Sequence, residues 1–231
     1  RVQRTVTSGR PGARRGPALS GAAPFVFAAV LALAFSPAAA GDSPPTLATL
    51  AQAAKSAKAG PFGSVEFTTA ALDALPQWNR ILQRAALDMP GFNDCVADKQ
   101  LCKSDGQKVW REAIEGAKGL GRAARIDYIN RYFNRWPYRE DRAIWGVSEY
   151  WATPQEFLSK SGDCEDFSIA KYYALRALGF RNEELRIVVL KDRIRGIGHA
   201  VVAVYDGDGD IMILDNLSNV VLSHTLYQHY I

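Results

Sequence analysis

TPQEFLSKSGDCEDFSIAKYYALRALG, residues 153–179, contains two helix starts in close succession. Thr153 is an N-cap, Pro154 takes the first helical position, and Glu156 at N3 completes a capping box. Gly162 breaks this short helix. A second helix is predicted from about Cys164 to Leu178, with Gly179 as the residue that leaves it. Phe167, Ala170, Ala174, Leu175 and Leu178 form its buried stripe. Cys164 stands three residues before Phe167, on the core side of the first turn. A helix N-terminus has free N–H groups and partial positive charge, and both stabilise a thiolate. Asp163, Glu165 and Asp166 crowd the same turn with negative charge, which works the other way.

After this helix the apolar period changes from 3.6 to 2. LRIVVLK (185–191), HAVVAVYD (199–206) and DIMILDNL (210–217) read as three strands. Asp206-Gly207-Asp208-Gly209 is the turn between the last two. It is not an EF-hand loop, which would need Gly at Ile211 and Glu at Leu217. Before residue 153 the chain is helical. Trp78, Ile81, Leu82 and Ala85 form a stripe that Met89-Pro90-Gly91 is expected to stop. Ser104 and Gln107 suggest a capping box for a helix carrying Trp110 and Ile114, and residues 122–135 put Ile126, Ile129 and Phe133 on one face before Pro137. The expected class is α+β: a helical N-terminal half whose last helix packs on a small antiparallel sheet.

Cys164 is half of an activated nucleophile, and the other half is a base. Of the three histidines, His224 and His229 lie in the last eight residues. His199 opens the second strand beside Gly198, and Asp215 ends an apolar run in the next strand. The order Cys164, His199, Asp215 supplies nucleophile, base and orienting acid. Strand alternation sets a condition. A two-residue hairpin loop would put His199 and Asp215 on opposite faces, so an odd loop or a bulge is expected within 205–210.

The whole chain adds bounds. Its 231 residues are 48% hydrophobic and 23% charged, an ordinary globular composition. Residues 1–40 stand apart: Arg1, Arg4, Arg10, Arg14 and Arg15 with no acid, an apolar run FVFAAVLALAF at 25–35, then Ala38-Ala39-Ala40. This reads as a secretory signal peptide cut after about Ala40; the alternative is an uncleaved anchor. The chain has 28 basic and 24 acidic residues; removing the leader's five arginines leaves 23 basic, a net of −1. The basic balance therefore belongs to the leader and does not indicate nucleic-acid binding. Residues 41–61 read as a flexible mature N-terminus or marginal helix, with the folded domain over 62–231. Cys95 and Cys102 either pair in an oxidising compartment or remain two buried thiols; a C-x6-C pair without nearby histidine lacks a zinc ligand set. Cys164 is the unpaired cysteine in an exported chain, a candidate reactive thiol.

WATPQEFLSKSGDCEDFSIAKYYALRALGF, GHAVVAVYD and ILDNL together resemble the bacterial transglutaminase-like cysteine proteinases. The resemblance covers most of residues 62–231, including the Cys95/Cys102 pair. It implies a papain-like or transglutaminase-like α+β fold with Cys164 as nucleophile, His199 as base and Asp215 as orienting acid. The best-understood members of that family are periplasmic, calcium-dependent proteases that release large surface adhesins in biofilm control. The resemblance therefore also implies cleavage at an alanine-alanine site near an adhesin's N-terminus. An inner-membrane cyclic di-GMP receptor that sequesters the protease is implied as regulator. Calcium dependence attaches to Asp163 and Glu165, with Asp166 as the third candidate. Family members continue further past the catalytic strands, so a final strand is expected beyond Ile231.

Alternatives stay open at this level. The same triad serves transglutaminases, where an amine replaces water, and a catalytically silent adhesin- or receptor-binding module is a further reading. Asp163 and Asp166 also fit a plain helix cap, and calcium takes 6–8 oxygen ligands, more than three side chains supply.

Overall fold

Helical periodicity gives way to strand alternation in the structure as it does in the sequence. The computed structural model describes residues 58–66, 75–205, 207 and 209–231. The leader at 1–40 and residues 41–57 lie outside the described residues. Among the described residues a small hairpin comes first, β1 (Lys58–Ala59) paired with β2 (Val65–Glu66), and it begins four residues before Phe62. Among the described residues the helices that follow are α1 (Pro76–Ala97), α2 (Asp105–Lys118), α3 (Arg122–Phe133), α4 (Asp141–Ile144), α5 (Pro154–Lys160) and α6 (Cys164–Ala177).

The expected stop at Met89-Pro90-Gly91 does not occur, and α1 runs through Pro90 to Ala97. An interior proline costs about 3 kcal/mol or more. Here Phe92 and Cys95 extend the buried stripe begun by Ile81 and Ala85, so packing beyond the proline outweighs its cost. A disulfide between Cys95 and Cys102 ties the end of α1 to the loop that follows. Ser104 Oγ accepts from Gln107 N at 3.2 Å, but Gln107 Oε1 accepts from Lys103 N at 2.6 Å, so only half of the expected capping box forms there. In α5, Thr153 Oγ1 accepts from Glu156 N at 3.3 Å and Glu156 Oε2 accepts from Thr153 N at 2.8 Å. Gly179 takes φ +91° past α6, a conformation that favours glycine. The four-residue α4 had no clear periodic signal.

The sheet is antiparallel, in the order β3 (Leu185–Asp192), β4 (Ile197–Tyr205), β5 (Ile211–Leu214), β6 (Leu222–Ser223). It thus has four strands where the alternation indicated three; β6 is too short to announce itself. Strand β5 also ends at Leu214, not at residue 217. Asp215 Oδ1 accepts the Leu217 N–H at 2.9 Å, a side-chain turn that competes with the ladder.

Tyr205 lies opposite Ile211 and Val202 opposite Leu214, so the connection is the five residues 206–210, odd as expected. Val202, Val204 and Leu214 face the helices, joining Trp110, Phe133, Phe157 and Phe167 in the main core. The other face carries Val201, Ala203, Ile211 and Ile213 in a smaller cluster with Tyr227 and Tyr230. His199 and Asp215 share the parity of this second set. This mixed architecture, a helical half packed on a small antiparallel sheet, is the α+β papain-like or transglutaminase-like class.

Candidate active site

A strained turn aims the start of α6. Ser161 takes φ +68°, uncommon for a residue with a side chain, and its hydroxyl donates to the Pro137 carbonyl. Gly162 forms a parallel bridge with Tyr138, and its carbonyl accepts from Arg139 N at 2.9 Å. A Cβ on Gly162 would run into the carboxylate of Asp166, so glycine is required by close approach. These ties hold the first turn of α6 at the mouth of a cleft of about 350 Å³, lined by Tyr138, Trp151, Asp163, Cys164, His199 and Ala200 among others. Arg80 of α1 donates to the Trp151 carbonyl at 2.8 Å and to Glu156 at 2.7 Å, which fixes the tryptophan wall of the cleft.

Cys164 and His199 therefore line one cavity. The His199 Nε2 lies 3.0 Å from Asp215 Oδ1, both side chains buried. Nδ1 is then the imidazole nitrogen left for a proton from the cleft. Asp215 is held on both oxygens: Oδ1 also accepts the Leu217 N–H, and Oδ2 accepts the Tyr230 hydroxyl at 2.6 Å. Burial pushes Asp215 towards the neutral acid, but the hydrogen bonds from His199 and Tyr230 prevail and hold its pKa below the usual carboxylate value. Tyr230 was not foreseen. No local periodicity marks the C-terminal segment, and the hydrogen bond spans fifteen positions of sequence.

The thiol has a different environment. Its hydrogen bond runs to Glu165 Oε2 at 3.2 Å. Burial pushes the Cys164 pKa up, and the charges of Glu165 and Asp163 push it further; the Ala200 N–H acts in the opposite sense. With its neighbouring carboxylates bare, the thiol is held protonated.

Those carboxylates form two groups that share one member. Asp163, Cys164 and Glu165 offer ligand atoms within 4.8 Å of one another, and so do Asp141, Asp163 and Asp166. Asp141, supplied by α4, was not among the sequence candidates, because a lone acid in a charged stretch carries no signal. Burial, then neighbouring charge, raises Asp163 and Asp166 to about 8 and Asp141 to about 6. Asp166 is engaged on both oxygens, by Ala152 N at 2.5 Å and Asp163 N at 3.3 Å, so it caps and braces the turn. By contrast, Oδ1 of Asp141 and Oδ1 of Asp163 are buried with no hydrogen-bond partner. Unpaired buried carboxylate oxygens are costly. Hard oxygen donors in this state fit a divalent cation such as calcium.

A larger hollow, about 810 Å³, is lined by Arg122, Ile126, Asp127, Met212 and Val221 among others and includes neither Cys164 nor His199. Among the described residues no helix is long and apolar enough to cross a membrane.

Known proteins similar to this chain bear on its fold and family. Solved structures of Legionella pneumophila LapG resemble the chain with a TM-score of 0.52 at 27% identity, covering 60% of this chain and 80% of that one. A calcium-bound form gives 0.51 at 29% identity, covering 61% and 78%, and an EGTA-treated form gives 0.52 at 27%, covering 60% and 77%. No curated protein sequence matches. The profile of a family described as bacterial transglutaminase-like cysteine proteinase matches residues 88–231, and the chain belongs to that family.

Proposed function

We propose that this protein is a calcium-dependent cysteine endopeptidase of the periplasm. In this reading it cuts the N-terminal region of a large surface adhesin, at an alanine-alanine site, and so controls biofilm attachment. The observation that carries the reading is one cleft lined by a cysteine at a helix N-terminus and a histidine whose far nitrogen is 3.0 Å from a buried aspartate. Residues 1–40 serve as the export signal, and the catalytic domain takes in the hairpin that begins at Lys58 and runs on to residue 231. An inner-membrane cyclic di-GMP receptor is the proposed sequestering partner.

Cys164 is the nucleophile. His199 Nδ1 takes its proton, and the thiolate attacks the scissile carbonyl. The N–H of Cys164, free at the start of α6, donates to the oxyanion. His199 returns the proton to the leaving amine, and water then releases the acyl-enzyme. Asp215 fixes the imidazole through Nε2 and stabilises its cationic form. Asp141, Asp163 and Glu165 would hold calcium, with Asp166 bracing their turn; when bound, the ion offsets the negative charge that otherwise keeps the thiol protonated.

The test is cleavage of a purified adhesin N-terminal fragment by the mature protein, followed by gel and mass spectrometry. A single cut is expected in calcium, none in EGTA and none with Cys164→Ala. Calcium-dependent incorporation of an amine with no cut would replace protease by acyl transferase, and binding without either would leave a docking module.

A further inference from the structure

Lys171 is buried, at 1% exposure, on the same helix as the proposed nucleophile. It lies seven residues after Cys164, on the same side of α6. The catalytic steps above give it no task. A buried ammonium is expensive, and it persists where the fold gives it partners.

Its partners lead to the catalytic acid. Lys171 Nζ donates to Asn130 Oδ1 at 2.8 Å, and Asn130 Nδ2 donates to the Ser218 carbonyl at 2.7 Å. One turn further along α3, Asn134 Nδ2 donates to the carbonyls of Asp215 and Ser218, both at 2.9 Å. The turn 215–218 is therefore clamped from below by two asparagines, and the first of these is held in its amide orientation by the lysine. That turn contains the Leu217 N–H that fixes Asp215 Oδ1.

We infer that Lys171 is a positioning residue for the catalytic acid, acting through Asn130 on the turn that carries Asp215 and as a buried counter-charge beneath it. The inference deepens the protease reading and rests on it for its kinetic part. The surroundings agree. Burial lowers the Lys171 pKa to about 7, and the negative charge of Asp215 acts in the opposite sense. On the remaining sides it meets the neutral Asn130 of α3 and, at 5.9 Å, the ring of Phe167 on its own helix. His199 of β4 lies beyond Asp215, bonded to it.

The test uses the full mature chain with calcium present. Lys171→Met keeps the side-chain length but leaves Asn130 Oδ1 without its donor and Asp215 without its counter-charge, so some loss of stability is expected and circular dichroism first checks that the variant is folded. With the adhesin fragment, kcat is expected to fall about tenfold while KM stays within about twofold, the signature of a group that acts on the chemical step. The acidic limb of the rate profile is expected to move to higher pH, because loss of a nearby cation favours protonated forms. A purely structural role would lower the rate without moving that limb. Unchanged kinetics, or an unmoved limb, overturns the inference.

A second measurement needs neither activity nor a Lys171 variant. The Lys171 side chain is followed by NMR against pH in the wild type and in Asp215→Asn. The lysine is expected to titrate at lower pH in the variant, and an identical titration overturns the inference. If the wild type cuts nothing but this coupling is seen, the protease reading fails while the Lys171–Asp215 arrangement stands. If the wild type cuts and the coupling is missing, the reverse holds.

Discussion

The phenol of Tyr230 donates to Oδ2 of Asp215 at 2.6 Å, on the carboxylate oxygen that His199 does not use. The C-terminal segment thus closes the site from behind, with Tyr230 stacked on Tyr227 and met edge-on by Phe62 from the N-terminal hairpin. Replacing Tyr230 by Phe leaves a buried charged acceptor short of a donor, at a cost of about 1–3 kcal/mol. Tyr230→Phe is expected to lower the melting temperature and to reduce kcat more than it changes KM. Thermal denaturation and steady-state kinetics on the same preparation check both.

Cys164→Ala is expected to remove all cleavage while keeping the fold. The thiol is half-buried and bonded to Glu165, so its loss removes a weak hydrogen bond and leaves no large cavity. Circular dichroism should match the wild type; residual cleavage above background would assign the chemistry elsewhere.

Burial raises Asp163 and Asp166 from an ordinary value of 3.8 to about 8 in the cation-free protein. A carboxyl raised in the folded state holds its proton better there than in the unfolded chain. Its favourable contribution is therefore complete below about pH 4 and is lost as pH rises to about 8. In EGTA the melting temperature is expected to fall across that window. With calcium present the fall should be much reduced, because the ion favours the ionised carboxylates. Parallel thermal scans from pH 4 to 9 decide the matter (roughly the span of the linkage); coincident curves with and without calcium would remove the ion from this site.

Gly162 abuts the Asp166 carboxylate so closely that even a methyl group has no room. Gly162→Ala should cost about 1–3 kcal/mol by overpacking. It should also loosen the turn that Asp166 braces, weakening calcium binding and activity together. Calcium titration by calorimetry measures the first effect and fragment cleavage the second.

Much of this protein was legible in its sequence. The capping box at Thr153–Glu156, the start of α6 at Cys164 and the switch from helical to strand periodicity follow from local rules, because caps and alternation act over a few residues. The odd connection between β4 and β5 was also deducible, since strand parity is a matter of counting. Pro90 misled because propensity is weak against packing: Phe92 and Cys95 found a core that no local rule contains. Asp141, Tyr230, Asn130 and Lys171 had no sequence signal, as each gains its meaning from a partner far along the chain. The sequence by itself determined the main helices and the three longer strands, the order of the candidate triad and the acidic turn around Cys164. Only the tertiary structure decided which oxygens are left unpaired and what holds Asp215, because burial and long-range hydrogen bonds exist only once the chain has closed on itself.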